Sequence, residues 1–468
     1  MQNKYKRLLL NSLLFTISSF SSKLLSILIV PLYTYYLNPE QFGMIDLGTM
    51  LTQLIFPIVS LSIYESLLRF NITSKNNEVY LNNSLFILII GSVISLCLYP
   101  IFLIVFNEIE SLLLVLIVVL QMFFQTLSQY AKSIDKNGIF ALSGFINTVL
   151  NLSFNIIFLV IWNFGVVGYF VSIVLSLVIV NLFLIISLNI FKKLNYNLIH
   201  NRILKEMIIY SLPLIPNSVM WWGMSSLNRP LITFYLSASM TGLYAVANKI
   251  PTFLNMFTTI FSQAWQISAI EESESADQSS TYSRVFEVFS TLLYLVSLLI
   301  ILIIKYLFKN FINDSYELAW TIVPPLLIAN IFSGFSSFFG ISYTVNKKTN
   351  GVFLSSLLGA VINLVLNIFL LRIFGINGAA FSSIISYLVM TVIRYRDTVK
   401  FTNIKLNYWI HFFNIFLLSS ISFYIVNTKY VSLLVIFISP LLFVLINFNI
   451  LKELILIVGK KLRYENNS

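Results

Sequence analysis

The chain has 468 residues, of which 58% are hydrophobic and only 10% charged, and its mean hydropathy is +0.88. Soluble domains are about 25% charged, so this composition cannot supply a water-facing surface and points to a polytopic integral membrane protein. One cysteine, Cys97, excludes an intramolecular disulfide and a Cys-rich zinc site, and two distant histidines, His200 and His411, argue against a histidine metal cluster.

About 20 mostly apolar residues are needed for a helix to cross about 30 Å of hydrocarbon. On that measure the sequence predicts spans near 8–37, 42–68, 81–106, 109–131, 138–162 and 165–190. A basic stretch follows, then spans near 206–236, 242–270, 282–304, 317–343, 351–374, 376–393, 406–426 and 430–451, fourteen in all. The opening Lys4-Tyr-Lys-Arg7 resembles the charged start of a signal peptide. The apolar run continues to Leu37 without a small-residue cleavage site, so it is read as the first span.

The cations test this layout. With the N-terminus inside, 22 of the 29 lysines and arginines fall in cytoplasmic segments, among them Arg394, against four outside. That asymmetry follows the positive-inside rule and places both termini in the cytoplasm. The net charge of +11 is then mostly a record of topology, and no nucleic-acid partner is expected.

Two pairs of segments repeat. Pro31-Leu-Tyr-Thr-Tyr-Tyr-Leu37 followed by Gly43 matches Pro230-Leu-Ile-Thr-Phe-Tyr-Leu236 followed by Gly242, without a gap. Asn151-Leu-Ser-Phe-Asn155, Phe164-Gly165 and Gly168 recur as Asn363-Leu-Val-Leu-Asn367, Phe374-Gly375 and Gly378, with a two-residue gap. The expected organisation is a six-helix lobe over 1–190, a cytoplasmic basic linker at 191–205, a second six-helix lobe over 206–400 repeating the first, and two additional helices with a basic tail over 401–468. Each repeat has six spans, so the two run in the same direction about an axis along the membrane normal. Substrate sites in such transporters lie between the repeats.

Polar residues inside spans carry the functional signal. Ser12, Thr16, Ser19, Lys23 and Ser26 share one helical face. Lys23 lies fourteen residues from Leu37, about 21 Å at 1.5 Å per residue, too deep to reach the interface easily. Span 7 carries Trp222, Asn228 and Arg229; span 8 carries Asn248 and Lys249. Arg229 and Lys249 lie nearer their outer ends, where snorkelling is the competing reading. Asp46 and Glu65 are candidates for proton or sodium coupling, with a local contact between Glu65 and Arg69 as the plainer alternative. The asparagines at 147, 151 and 155 read more readily as bonds between helices than as ligands. Pro213 and Pro216 open span 7, Pro251 interrupts span 8, and Pro324-Pro325 interrupts span 10.

Lys6-Arg7 through Ser22-Lys23 to Pro31-Leu32, then Leu37-Asn-Pro-Glu-Gln-Phe-Gly43, resembles the start of the polysaccharide-biosynthesis, O-antigen flippase-like family. Tyr210-Ser-Leu-Pro-Leu-Ile-Pro216, Asn228-Arg229, Gly242-Leu-Tyr244 and Lys249-Ile250 resemble the start of its second half. The resemblance implies an all-α membrane fold with two six-helix lobes in a V shape, as in multidrug and toxin extrusion transporters. It also implies cavity walls drawn from spans 1, 2, 7 and 8. The family often has Asp-Arg where this chain has Asn228-Arg229, which weakens the case for a carboxylate paired to Arg229.

The expected function is a flippase for undecaprenyl-pyrophosphate-linked oligosaccharide in the bacterial cytoplasmic membrane. It would work by alternating access with ion coupling and without a further cofactor. Lys23, Arg229 and Lys249 would meet the diphosphate. Ser19, Asn228 and Asn248 would bond the glycan, and Trp221, Trp222 and Tyr244 would stack on its sugars. Besides lipid and substrate, a polysaccharide polymerase and chain-length regulator are the expected partners. The rivals are a multidrug exporter of the same fold and a lipid II or teichoic-acid precursor flippase. An enzyme is disfavoured: the chain lacks an Asp-x-Asp metal motif, a His cluster and a nucleotide-binding P-loop.

Overall fold

The structure, a computed structural model, describes residues 29–73, 77–271, 277–346, 348–428 and 432–452. Among them every regular element is helical. The helices are α1 Val30–Tyr36, α2 Pro39–Val59, α3 Ile63–Thr73, α4 Asn77–Leu96, α5 Glu108–Ser133, α6 Asn137–Asn155, α7 Gly165–Ser187, α8 Asn201–Ser211, α9 Leu214–Ser226 and α10 Asn228–Tyr235. They continue as α11 Ala238–Glu271, α12 Gln278–Phe311, α13 Val323–Val345, α14 Thr349–Phe374, α15 Ile376–Thr402, α16 Tyr408–Asn427 and α17 Leu433–Ile446. The chain packs as two compact units, one running through Thr233 with Ser237–Gly242 added, the other taking Phe234–Leu236 and everything from Leu243.

Local chemistry sets the ends. Asn38 and Gln41 form a reciprocal capping box, Asn38 Oδ1 accepting from the Gln41 amide at 2.8 Å and Gln41 Oε1 accepting from the Asn38 amide at 3.1 Å. Pro39 sits at the helix start, where a missing N–H costs nothing. The expected span 42–68 divides at Ser60–Ser62. Leu61 and Ser62 there take left-handed φ values of 52° and 48°, and Ser62 N–H returns to the Pro57 carbonyl at 2.8 Å. Span 7 divides into α9 and α10 because Pro230 has no N–H to offer the Ser226 carbonyl one turn back. Span 8 behaves differently: α11 runs for 34 residues straight through Pro251. Pro324 and Pro325 mark a real change, since the 3₁₀ segment Asp314–Ile322 gives way there to α13.

Ten helices among the described residues are long and apolar enough to cross a membrane. They correspond to ten of the fourteen expected spans. Of the other four, the first lies largely outside the described residues and the seventh is split. The eighth is α11 with its polar face, and the last is reduced to α17.

In the first unit α5 is central. Leu114, Val118 and Met122 are fully buried, and its C-terminal half joins a core with Ile63, Leu67, Leu81, Leu88, Leu184 and Met207. In the second unit α13 has that place. Its Phe338 stacks on Trp265 at 5.4 Å and meets Phe286 at 5.1 Å, while Phe261 and Phe289 stack at 4.3 Å.

The repeated segments adopt the same geometry. The Asn155 amide donates to the Asn151 carbonyl and side chain, both at 2.8 Å; the Asn367 amide does the same to Asn363, at 2.8 and 3.1 Å. These bonds run along one helix, while Asn363 also donates to Ser383 Oγ of α15 at 3.5 Å. Gly165 and Gly375 both take left-handed φ, 56° and 57°, a conformation that glycine adopts without steric cost.

The basic stretch 191–205 is fixed to α4 by two neighbouring asparagines. Asn82 donates to the Lys193 carbonyl at 2.8 Å and accepts from the Asn195 amide at 2.9 Å. Asn83 donates to the Leu198 carbonyl at 2.9 Å and accepts from the His200 amide at 3.0 Å. Each side-chain amide engages the passing backbone at two points, as a neighbouring β-strand would.

Candidate functional site

Within the first unit, α9 and α10 lie along α2 in opposite directions. Trp222 Nε1–H donates to the Met50 carbonyl at 2.8 Å. Two turns further on, Arg229 Nε lies 2.5 Å from Asp46 Oδ2. Asp46 is 6% exposed and Arg229 7%. One guanidinium N–H also donates to the Ser225 carbonyl at 3.2 Å, at the C-terminal end of α9 where a cation meets the negative pole of the helix. Thr233 Oγ1 donates to the Arg229 carbonyl at 3.1 Å and accepts from Thr241 Oγ1 at 2.7 Å. Tyr169 of α7 lies within electrostatic reach of Asp46 and meets Tyr33 edge-on at 5.7 Å.

Arg229 therefore does have a carboxylate partner, contrary to the inference from Asn228-Arg229. The acid is supplied by α2, 183 positions earlier, instead of by the preceding residue. Snorkelling is also overturned for Arg229, because the guanidinium is buried against Asp46. Asn228 is buried beside it at 8% exposure. The Trp222 ring is partly buried and anchored through its N–H, while Tyr244, at 3% exposure, presents no open face for a sugar here. The Trp221 side chain lies outside what the structure describes, as do Lys23 and Ser19.

Asn248 and Lys249 stand together on α11 in the second unit, both partly buried, and the Asn248 carbonyl accepts from Thr252 Oγ1 at 2.9 Å. Glu65 is on α3. Among the described residues no ion pair joins it to Arg69; the cation whose charge reaches it is Lys132 at the end of α5.

The backbones of α2 and α11 touch directly beside this pair. A Cβ on Gly43 would meet the Ala238 carbonyl oxygen, and one on Gly242 would meet the Pro39 carbonyl oxygen, both well inside van der Waals contact. The contact is reciprocal: the repeat offset that carries Gly43 to Gly242 also carries Pro39 to Ala238.

One buried arginine escaped its sequence assignment. Arg394, counted among the cytoplasmic cations, is 5% exposed within α15. It donates to Ser355 Oγ at 2.9 Å, the Ser336 carbonyl at 2.9 Å, Ser356 Oγ at 2.8 Å and the Val352 carbonyl at 3.4 Å. The helix extends to Thr402, well past the expected end of span 12 at 393, which carries Arg394 into the packed interior.

Among the described residues, ten membrane-length helices with buried ionic groups between helices define a multi-pass helical membrane protein. The sequence model of the polysaccharide biosynthesis protein family matches residues 8–267, more than half of the chain. The chain belongs to that family. No curated protein matches it. Among solved structures it is similar to lipid II flippase MurJ in an inward closed conformation, with a TM-score of 0.70 at 13% identity over 95% of this chain and 99% of that one. An inward-facing multidrug resistance MATE family transporter of the MOP superfamily gives 0.60 at 13% identity, covering 82% of this chain and 97% of that one. An outward-facing one gives 0.57 at 15%, covering 83% and 93%. At such identities the likeness is one of fold alone.

Proposed function

We propose that the protein is a flippase carrying an undecaprenyl-pyrophosphate-linked oligosaccharide, an O-antigen, capsule or exopolysaccharide precursor, between leaflets of the bacterial cytoplasmic membrane. Membership of the polysaccharide biosynthesis family carries this reading, and the buried Arg229 supports it. The physical problem is a large polar headgroup in hydrocarbon; the prenyl tail can remain in lipid. Cations replace water around the diphosphate, and hydroxyl and amide groups replace it around the sugars. Lys23, Arg229 and Lys249 have the first task in this proposal; Ser19, Asn228 and Asn248 have the second. Alternating access moves the headgroup, driven by a proton or sodium gradient with Asp46 or Glu65 as the coupling acid. Both termini face the cytoplasm, and a polymerase with its chain-length regulator takes the delivered unit.

The test is complementation of a flippase-null strain. Lys23→Ala should abolish surface polysaccharide while the protein remains in the membrane at its normal level. Normal polysaccharide would reject the role of Lys23. Raised drug resistance on expression, with no effect on glycan, would favour an exporter.

A further inference from the structure

We propose that Asp46 is a placeholder for the substrate's anion: the carboxylate and the diphosphate are alternative partners of Arg229, and loading the headgroup transfers the guanidinium from one to the other. This rests on the flippase reading above and specifies how its site is held before substrate arrives.

The geometry favours exchange over a fixed brace. Arg229 is the second residue of α10, just past the break at Leu227, and so lies in the first turn rather than mid-helix. The neighbouring groups are already engaged: Trp222 N–H with the Met50 carbonyl, the Ser225 carbonyl with the guanidinium itself, and Thr233 with Thr241 at 2.7 Å. The helices α2 and α9 thus keep a contact, Trp222 with Met50, that does not depend on the ion pair, and α10 keeps its own through Thr233 and Thr241. A lone buried arginine would be costly and would move or recruit water. Asp46 keeps it charged, dry and oriented. A carboxylate and a phosphate oxygen ask the same thing of a guanidinium, and a diphosphate brings more negative charge to the contact. Asp46 in this view sets the selectivity of the site as well: a neutral or cationic headgroup cannot displace it, because nothing it offers replaces the carboxylate.

The experiment uses the full-length purified protein with inorganic pyrophosphate as the probe, alongside surface glycan in the complemented null strain. Asp46→Asn removes the competitor, so pyrophosphate should bind roughly tenfold more tightly than to the wild type while the melting temperature falls. The charge swap Asp46→Arg with Arg229→Asp should restore the melting temperature but neither pyrophosphate binding nor glycan export, because the cation then sits on α2. A swap that restores folding, binding and export together would make the pair purely structural and overturn the proposal. So would unchanged or weaker binding to Asp46→Asn. If Asp46→Asn does not fold, the swap alone decides. A null strain with intact surface glycan rejects the flippase reading and leaves the competition for Arg229 to be judged by pyrophosphate alone. Glycan loss in the null strain with no pyrophosphate bound to wild type or Asp46→Asn rejects the exchange and leaves the flippase reading standing.

Discussion

Among the described residues two arginines are buried, and they are satisfied in opposite ways. Arg229 meets a carboxylate. Arg394 meets only neutral oxygens, two serine hydroxyls and two backbone carbonyls contributed by α13 and α14, so a single guanidinium ties three helices together. Gly340 makes room for it, since a Cβ there would lie 2.9 Å from the guanidinium. Replacing Arg394 with Met should leave those oxygens without donors and lower stability by about 2–4 kcal/mol, read as a drop in melting temperature. Arg394→Lys should recover only part of this, because an ammonium cannot span the same fork. The exposed Arg202, paired with Glu206 at 3.3 Å, is the control and should tolerate Met without measurable change. At this scale the sequence flagged Asp46, Asn228 and Arg229 as polar groups where polarity is costly. It could not pair Asp46 with Arg229, because no periodicity links helices so far apart in the chain. It gave no sign that Arg394 is buried, because counting cations near span ends assigns a side of the membrane and says nothing of packing.

Some helix breaks were legible from proline: Pro324-Pro325, read as interrupting span 10, begins α13. The split of span 7 at Pro230 and the Asn38–Gln41 cap of α2 were not read in advance. Pro251 shows the limit: it leaves α11 continuous, and packing of Leu254, Met256 and Trp265 on the same helix holds it together despite the lost bond. The Asn82-Asn83 clip was invisible in advance, since two polar residues near the start of a span look like interfacial decoration. Asn83→Leu should release the backbone at Leu198 and His200. The exposed cations Lys192, Arg202 and Lys205 then become accessible, because a protease needs a stretch of chain it can pull free. Limited trypsin digestion should leave the wild-type stretch intact and cut it early in the variant, with the melting temperature falling by less than for Arg394→Met. Equal cutting of both would show that the clip does not hold the stretch.

At the scale of the whole chain, composition alone gave the class and hydropathy gave ten spans that the structure contains. Two other expected spans are met in other forms among the described residues, the seventh as the broken pair α9 and α10 and the fourteenth as α17. The repeat was read from short motifs, and the glycines in them prove to be contact points: Gly43 and Gly242 are where α2 and α11 meet. Gly43→Ala or Gly242→Ala places a methyl against a backbone carbonyl that cannot rotate away. Each should lower stability by at least about 1–3 kcal/mol, with loss of folded protein from the membrane. Gly144→Ala, where no atom lies within 4 Å, should be neutral or slightly stabilising, since alanine is the better helix former. A similar melting temperature for all three would remove the contact from the account.

The seam at Gly43 and Gly242 has a mechanical corollary. Where side chains interlock, one helix can turn on another only by lifting knobs out of holes, and each lifted knob leaves a void. Here two bare backbones touch at equivalent points, with Pro39 and Ala238 completing the mirror-like exchange of oxygens. Such a joint resists insertion of even one carbon, yet a small rotation about the contact moves no rotamer and opens no hole. It holds α2 and α11 at bare backbone distance beside the Asp46–Arg229 pair, and any substitution that roughens it should cost folded protein.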